Sequence, residues 1–317
     1  MESIVEPKEK KPRLVVIQGP TAAGKSSLAI TLARKTGGQI ISADSMQVYR
    51  YLDIGTAKPA RAEREEVIHH LIDIVNPDDP FHAGQYVTAA GEAISRLHEG
   101  NTPIFVVGGT GLYIKALLGG LFPSPEADEN LRGRYRREAE LFGSPYLYQR
   151  LKEKDPLAAA SISERDQVRV IRALEVFEST GRSIRECQER HRFDSNRYDY
   201  LKLGITLDRE SLYRLIDRRV DNMIASGLVE EVENLLARGY SPALRSMQSL
   251  GYRHMLNYLG GSWSLEEAIE LMKRDTRHYA KRQLTWFRRD QEIRWFTPDE
   301  AERIASEVRI FLQPAGV

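Results

Sequence analysis

The chain has 317 residues, 41% hydrophobic and 29% charged, which is ordinary for a globular protein and long enough for one large domain with an appended module. No run approaches the roughly 18–20 uncharged apolar residues of a membrane helix, and the charged, proline-bearing residues 1–13 lack a signal peptide's apolar segment. A lone Cys187 excludes an internal disulfide and a cysteine-rich zinc site, so a cytoplasmic protein is expected. The net charge of +1 neither requires nor excludes a nucleic-acid partner.

Residues 14–17 form an apolar run that ends in a glycine loop, and 26–35 read as the helix that follows. A second strand is expected at 39–43, ending at Asp44, and a third at 71–75. A helix over 85–99 is stopped by Gly100, and a fourth strand at 104–107 leads into Gly108-Gly109-Thr110-Gly111 and an apolar helix over 112–118. Strands alternating with helices predict a parallel sheet covered on both faces. After Phe122-Pro123-Ser124-Pro125 the pattern changes, and 126–192 read as charged helices without a strand. Residues 205–207 return to the sheet, a long helix starts near Arg209, another covers 276–288, and 300–317 form a last helix with a short tail.

Gly19-Pro20-Thr21-Ala22-Ala23-Gly24-Lys25-Ser26, followed by Ser27, fits G-x-x-x-x-G-K-[ST] with a strand before it and a helix after it. The loop turns backbone N–H groups toward phosphate oxygens, Lys25 adds a point charge, and the Ser26 hydroxyl is placed to ligate Mg²⁺. The expected fold is therefore α/β, a P-loop NTPase-like parallel sheet core made of residues 1–125 and 196–317, with a helical insertion domain at 126–195. Such a loop names the group that is bound and leaves the reaction open.

Three polar residues stand out against their surroundings. Asp44 lies at the carboxyl end of the second strand, where open α/β sheets bind ligands; a helix cap or a magnesium carboxylate are the plainer readings. Arg219 falls in the middle of the apolar face formed by Leu212, Leu215, Ile216, Val220 and Met223, where a guanidinium needs an anionic partner, either a structural carboxylate or a substrate. Gln283 sits at the centre of the stripe Tyr279, Ala280, Leu284 and Phe287. Around it, residues 273–294 hold eight Lys or Arg against three acids, a solvated basic helix or an RNA-binding one.

With Asp53-Ile54-Gly55-Thr56-Ala57-Lys58-Pro59, Arg172-Ala173-Leu174-Glu175-Val176, Gly251-Tyr252-Arg253 and Ala280-Lys281-Arg282-Gln283 added in that order, the chain resembles the bacterial tRNA dimethylallyltransferases over nearly its whole length. The resemblance implies that the loop holds dimethylallyl diphosphate with Mg²⁺ and that the acceptor is N6 of adenosine 37 in tRNA. Asp44 then serves as general base, and Thr21, Thr110 and Arg219 complete the catalytic set. The same resemblance raises the RNA reading of the basic helix and points to further RNA contacts. These are Asp44, Ser45, Met46, Gln47 and Thr110; Gln167, Val168, Arg169, Val170 and Ile171 in the insertion; and Arg245, Gly251, Tyr252, Arg253, Lys281, Arg282, Gln283 and Arg288. The insertion is rich in arginine, at 132, 134, 136, 137, 165, 169 and 172, and some of these are expected in i,i+4 pairs. A monomer is expected for want of any interface signal. The rival readings are prenyl transfer to free AMP or ADP, an ATP-dependent small-molecule kinase, and an RNA-binding scaffold with a vestigial loop.

Overall fold

The computed structural model describes residues 11–121, 128–191 and 197–313. The segments read above as the start of the chain up to residue 10, the Phe122–Pro125 junction and the last four residues lie outside them.

The elements follow in chain order: β1 (Arg13–Gln18), α1 (Lys25–Thr36), β2 (Gln39–Ser42), α2 (Arg61–Glu66), β3 (His69–His70), α3 (Ala83–Glu99), β4 (Ile104–Gly108) and α4 (Gly111–Gly119). Next come α5 (Glu129–Phe142), α6 (Ser144–Lys154), α7 (Pro156–Ala159), α8 (Gln167–Thr180) and α9 (Ile184–His191). The chain continues with β5 (Asp199–Ile205), α10 (Arg209–Ala225), α11 (Leu228–Ala237), α12 (Tyr252–Leu259), α13 (Leu265–Phe287), β6 (Arg294–Phe296) and α14 (Ala301–Leu312).

The six strands form one sheet in the order β3-β2-β4-β1-β5-β6, and every pairing is parallel. In β1, Leu14, Val15, Val16 and Ile17 are all fully buried, as a strand covered on both faces requires. Val15 and Ile17 pack with Ala29, Leu32 and Ala33 of α1 and with Ile304 and Val308 of α14. A second cluster joins Val48 and Leu52 to Val220, Met223, Val232 and Met272 of the long helices.

Two expectations shift, and one strand was not expected. The third strand is His69–His70 rather than 71–75, because Leu71 (φ 65°) and Asp73 (φ 57°) turn the backbone out of the extended region. Val75 makes only an isolated bridge to Tyr49. The return to the sheet begins at Asp199 and ends at Ile205, and the three-residue edge strand β6 had no periodicity long enough to be read.

The chain divides into two compact units, one of residues up to 117 together with those from 196 on, the other of residues 118–195. The second unit has its own core of Tyr135, Leu147, Leu151, Val170, Ala173 and Leu174. Its arginines are mostly committed internally. Arg132 and Arg172 hold the fully buried Glu175, while Arg134 and Lys154 hold Glu178.

Candidate active site

The carboxyl ends of β1, β2 and β4 border a cavity of about 840 Å³, lined among others by Thr21, Lys25, Ser26, Asp44, Gly108 and Arg219. The loop after β1 needs its glycine. Gly19 has φ 148°, and a Cβ there would run into the Ile205 carbonyl at the end of β5. Ala22 (φ 63°) and Gly24 (φ 84°) continue the inward turn, and α1 starts at Lys25, so the positive end of its dipole faces the cavity. Lys25 Nζ donates to the Pro20 carbonyl (2.6 Å). Burial, then the nearby Arg219 charge, pull its pKa down to about 7 against the opposing effect of Asp44.

Asp44 caps a turn and borders the cavity. Its Oδ1 accepts the N–H groups of Met46 (2.8 Å) and Gln47 (3.2 Å), a local cap that fixes the carboxylate's orientation. Its second oxygen has no hydrogen-bond partner among the described residues, and the side chain borders the cavity. Arg219 reaches the same cavity from α10, beside the buried Leu212, Ile216, Val220 and Met223, while Leu215 is partly exposed at the rim. Burial lowers the Arg219 pKa, and the Asp44 carboxylate works in the other direction. Lys25, Arg219 and Asp44 thus face one space that Lys58, Arg61, Arg64, Arg218 and Asp53 also line, an excess of cations that suits a dianionic or trianionic phosphate ligand.

Other expected site residues serve the walls. The Thr110 hydroxyl accepts the Ser45 N–H (3.0 Å), and the Thr110 N–H donates to the Ala43 carbonyl (3.1 Å), so this threonine fastens the end of β4 to the end of β2. That contact is close, for a Cβ on Gly108 would overlap the Ala43 backbone. Gln283, 7% exposed, is a strut: its Oε1 accepts the Thr21 N–H (2.8 Å) and its Nε2 donates to the Gly109 carbonyl (2.9 Å).

The residues expected to meet RNA fall into two groups. Val170 (1% exposed) and Ile171 belong to the core of the second unit, and Tyr252 is fully buried with its ring against Gly55, so these three side chains face away from solvent. Met46 packs against the second cluster of the first unit, and Gly251 is buried. Arg253 is tied to Asp275, which also holds His254 and Arg274. At the surface are Val168, Arg169, Arg245, Lys281, Arg282 and Arg288, with Gln167 half-buried. Of these, Lys281, Arg282, Arg245 and Arg288 have no acidic partner among the described residues. Arg277 does have one, Asp217.

Sequence reasoning missed several wall residues. Tyr279 lines the cavity one turn before Gln283, with burial and then the Asp44 charge raising its pKa; in the sequence it is one member of an apolar stripe. Lys58, Arg64, Arg218 and Asn222 also line it, and Lys58 is held by Asp53, Asp73 and the Tyr49 carbonyl. The signal was the Asp53-to-Pro59 run, quoted as a motif without a role.

A parallel sheet with a phosphate loop after β1 and a carboxylate at the end of β2, two strands away across β4, defines an enzyme of the P-loop α/β class. The IPP transferase family matches residues 47–290. The tRNA dimethylallyltransferase 2 of Syntrophus aciditrophicus is 52% identical over 304 residues, 96% of this chain and 98% of that protein. The tRNA dimethylallyltransferase of Geobacter sulfurreducens is 54% identical over 286 residues, covering 90% of this chain and 92% of its own length. Among solved structures, the full-length tRNA isopentenylpyrophosphate transferase of Bacillus halodurans superposes with a TM-score of 0.71 at 39% identity, covering 95% of this chain and 97% of that one. A eukaryotic dimethylallyltransferase acting on tRNA gives 0.79 at 28% identity, over 95% of this chain and 80% of that one. The chain belongs to the bacterial tRNA dimethylallyltransferase family and is an enzyme. Among the described residues no helix is long and apolar enough to cross a membrane.

Proposed function

We propose that this enzyme transfers the dimethylallyl group of dimethylallyl diphosphate to N6 of adenosine 37 in tRNA and releases diphosphate. The observation that carries the reading is the meeting of Asp44, Lys25 and Arg219 around one cavity at the phosphate loop. The N6 lone pair forms the new bond to the allylic carbon, the carbon–oxygen bond breaks with its electrons going to diphosphate, and Asp44 takes the N6 proton. The exocyclic amine is a weak nucleophile, since its lone pair is spread into the purine, and a placed base contributes typically about 10²–10⁴-fold. Lys25, Arg219 and the loop amides from Ala22 onward receive the charge that develops on the leaving group; the Thr21 amide is already taken by Gln283. Thr21 offers its hydroxyl on the same wall.

The residues present fit Mg²⁺. No group of three His, Cys, Asp or Glu that could cage a metal occurs among the described residues, and Mg²⁺ does not need one. The exposed Ser26 hydroxyl at the start of α1, together with substrate oxygens and water, supplies the hard oxygen set it favours. Bound there, the ion would neutralise diphosphate charge.

Flipping adenosine 37 out of the anticodon loop costs about a few kcal/mol, which phosphate contacts from Lys281, Arg282, Arg288, Arg245 and Arg169 offset. The enzyme acts in the cytoplasm as a monomer. The test is to incubate it with Mg²⁺, dimethylallyl diphosphate and either unmodified tRNA or AMP, then digest and weigh the nucleosides. A single dimethylallyl adenosine from tRNA and none from AMP is the expected result. An adduct on AMP alone, or ATP consumed in place of the prenyl donor, would replace this reading.

A further inference from the structure

Glu231 lies on α11 and does not line the cavity, yet its carboxylate makes an unusual set of contacts. One oxygen accepts the N–H groups of Asp53 (3.0 Å) and Ile54 (2.8 Å). The other accepts the N–H of Gly55 (3.2 Å) and the hydroxyl of Tyr252 (2.6 Å). Three successive backbone N–H groups pointing the same way make a concave anion site, and here the chain supplies the anion itself, from about 177 residues further along. Tyr252 completes the clamp: its ring fills the space where a side chain on Gly55 would stand. Burial, and then the Glu231 charge, keep the Tyr252 hydroxyl well above its ordinary pKa, so it remains a donor.

The turn that Glu231 holds is a wall of the active site. Asp53, Ile54, Thr56, Ala57 and Lys58 all line the cavity. The carbonyls of Thr56 and Ala57 accept the side-chain amide of Gln47, each at 3.3 Å. The Gln47 carbonyl oxygen accepts the Ser42 hydroxyl at the end of β2 (3.1 Å), and the Gln47 backbone N–H donates to Asp44 Oδ1. Hydrogen bonds joined by short covalent stretches of the turn and of Gln47 therefore connect Glu231 to the carboxylate proposed as base.

We propose that Glu231 is a positioning residue for the transfer reaction: by gripping the turn at 53–55 it sets the cavity wall and, through Gln47, the direction of the Asp44 carboxylate. The inference rests on the function proposed above. A carboxylate suits the place because it accepts on both oxygens, whereas an amide presents one acceptor and turns an NH₂ toward N–H donors. Glu231→Gln keeps the volume and breaks the grip.

The experiment measures kcat and KM for dimethylallyl diphosphate and for tRNA in the wild type, Glu231→Gln, Tyr252→Phe, Gln47→Ala and the Glu231→Gln/Gln47→Ala double variant, with thermal melting of each. Glu231→Gln is expected to lower kcat by about tenfold or more, since small misplacements of reacting groups have such effects, while leaving KM for tRNA within about twofold. Because both residues act along one series of contacts, the double variant is expected to lose little more than the worse single variant. Multiplicative losses in the double variant, or a lower melting temperature with unchanged kcat, would overturn the proposal. Should Glu231→Gln fail to fold, Tyr252→Phe decides: it removes one donor of four, and kcat falls about two- to fivefold if the clamp orients the site and not at all if it does not. A wild type that transfers no prenyl group to tRNA overturns both readings; an active wild type with an unaffected Glu231→Gln overturns this one alone.

Discussion

The side-chain amide of Gln283 on α13 receives the Thr21 N–H of the phosphate loop (2.8 Å) and passes a hydrogen bond on to the Gly109 carbonyl (2.9 Å). A polar residue in an apolar stripe thus ties the two loops that border the cavity. Gln283→Leu keeps the bulk and strands a donor and an acceptor in a mostly buried place, at about 1–3 kcal/mol for each group left unpaired. Urea unfolding is expected to show that loss, and KM for dimethylallyl diphosphate should rise as the loop loosens. The affinity for tRNA should hold; a variant that loses tRNA affinity and keeps its stability would make Gln283 an RNA contact after all.

Asp44→Asn isolates proton acceptance from positioning. Asparagine retains an Oδ1 able to accept the Met46 and Gln47 N–H groups, so the local cap survives the change. Turnover is expected to fall about 10²–10⁴-fold while tRNA binding persists. Full activity in Asp44→Asn would remove Asp44 from its role as base.

Lys25 gives the site a pH dependence whose sign can be worked out. Its pKa is lowered to about 7, so in the free enzyme the ammonium is present below that pH and is lost as the pH rises through it. Diphosphate binds the charged form, and binding therefore takes up a proton above neutrality. The dissociation constant of inorganic diphosphate should rise from pH 7 to pH 8.5 relative to Lys25→Met, by up to about tenfold per unit. Using the variant as reference cancels the ligand's own ionisation. Parallel pH profiles for the two proteins would mean that Lys25 is not the titrating group.

What the sequence made legible was local. The phosphate loop, the carboxylate after β2 and Arg219 on a buried helix face each announce themselves within one element, through a motif or one polar residue breaking an apolar pattern. Gln283 is legible as an anomaly but its part as a strut is not, because the partners lie 262 and 174 positions away and are backbone atoms, which carry no residue signature. Glu231 was invisible for the same reason. The third strand is misplaced because Leu71, a residue that rarely adopts left-handed angles, does so here together with Asp73, and the Tyr49–Val75 bridge and the Lys58–Asp73 ion pair that accompany the turn lie outside the local pattern. Val170 and Ile171 follow Gln167 by three and four positions and so share its face of α8; that this face packs into the core of the second unit is a tertiary fact the local pattern does not carry.

In the second unit, Glu175 is fully buried and is held by Arg132 Nε and Nη2 (2.9 and 3.0 Å), by Arg172 and by the Asp128 N–H (2.8 Å). Burial alone would raise its pKa, but the hydrogen bonds from Arg132 and Arg172 bring it below the ordinary carboxylate value. Its stabilisation is therefore present at neutral pH and is lost as the pH falls through that depressed value. Glu175→Gln leaves two guanidiniums facing an amide and should cost about 3 kcal/mol, the lower end for a broken buried pair because both arginines are partly solvated. Urea unfolding at pH 7 tests the size; a loss below about 1 kcal/mol would place this cluster with ordinary surface pairs.

The exposed basic face of α13 offers the cleanest separation of RNA binding from chemistry. Lys281 and Arg282 are exposed and have no acidic partner among the described residues, whereas Lys273, Arg274 and Arg277 earlier on the same helix are paired with Asp221, Asp275 and Asp217. A cation already neutralised within the protein releases fewer counterions when it meets a phosphate, so the unpaired pair should dominate the salt dependence. Each of Lys281→Ala and Arg282→Ala is expected to weaken tRNA binding and to reduce the slope of log K against log salt by about one, with KM for dimethylallyl diphosphate unchanged. Arg277→Ala should change that slope less. Equal slopes for all three variants would mean that this face does not meet the RNA backbone, and that the grip on tRNA must come from Arg245, Arg288 and the insertion.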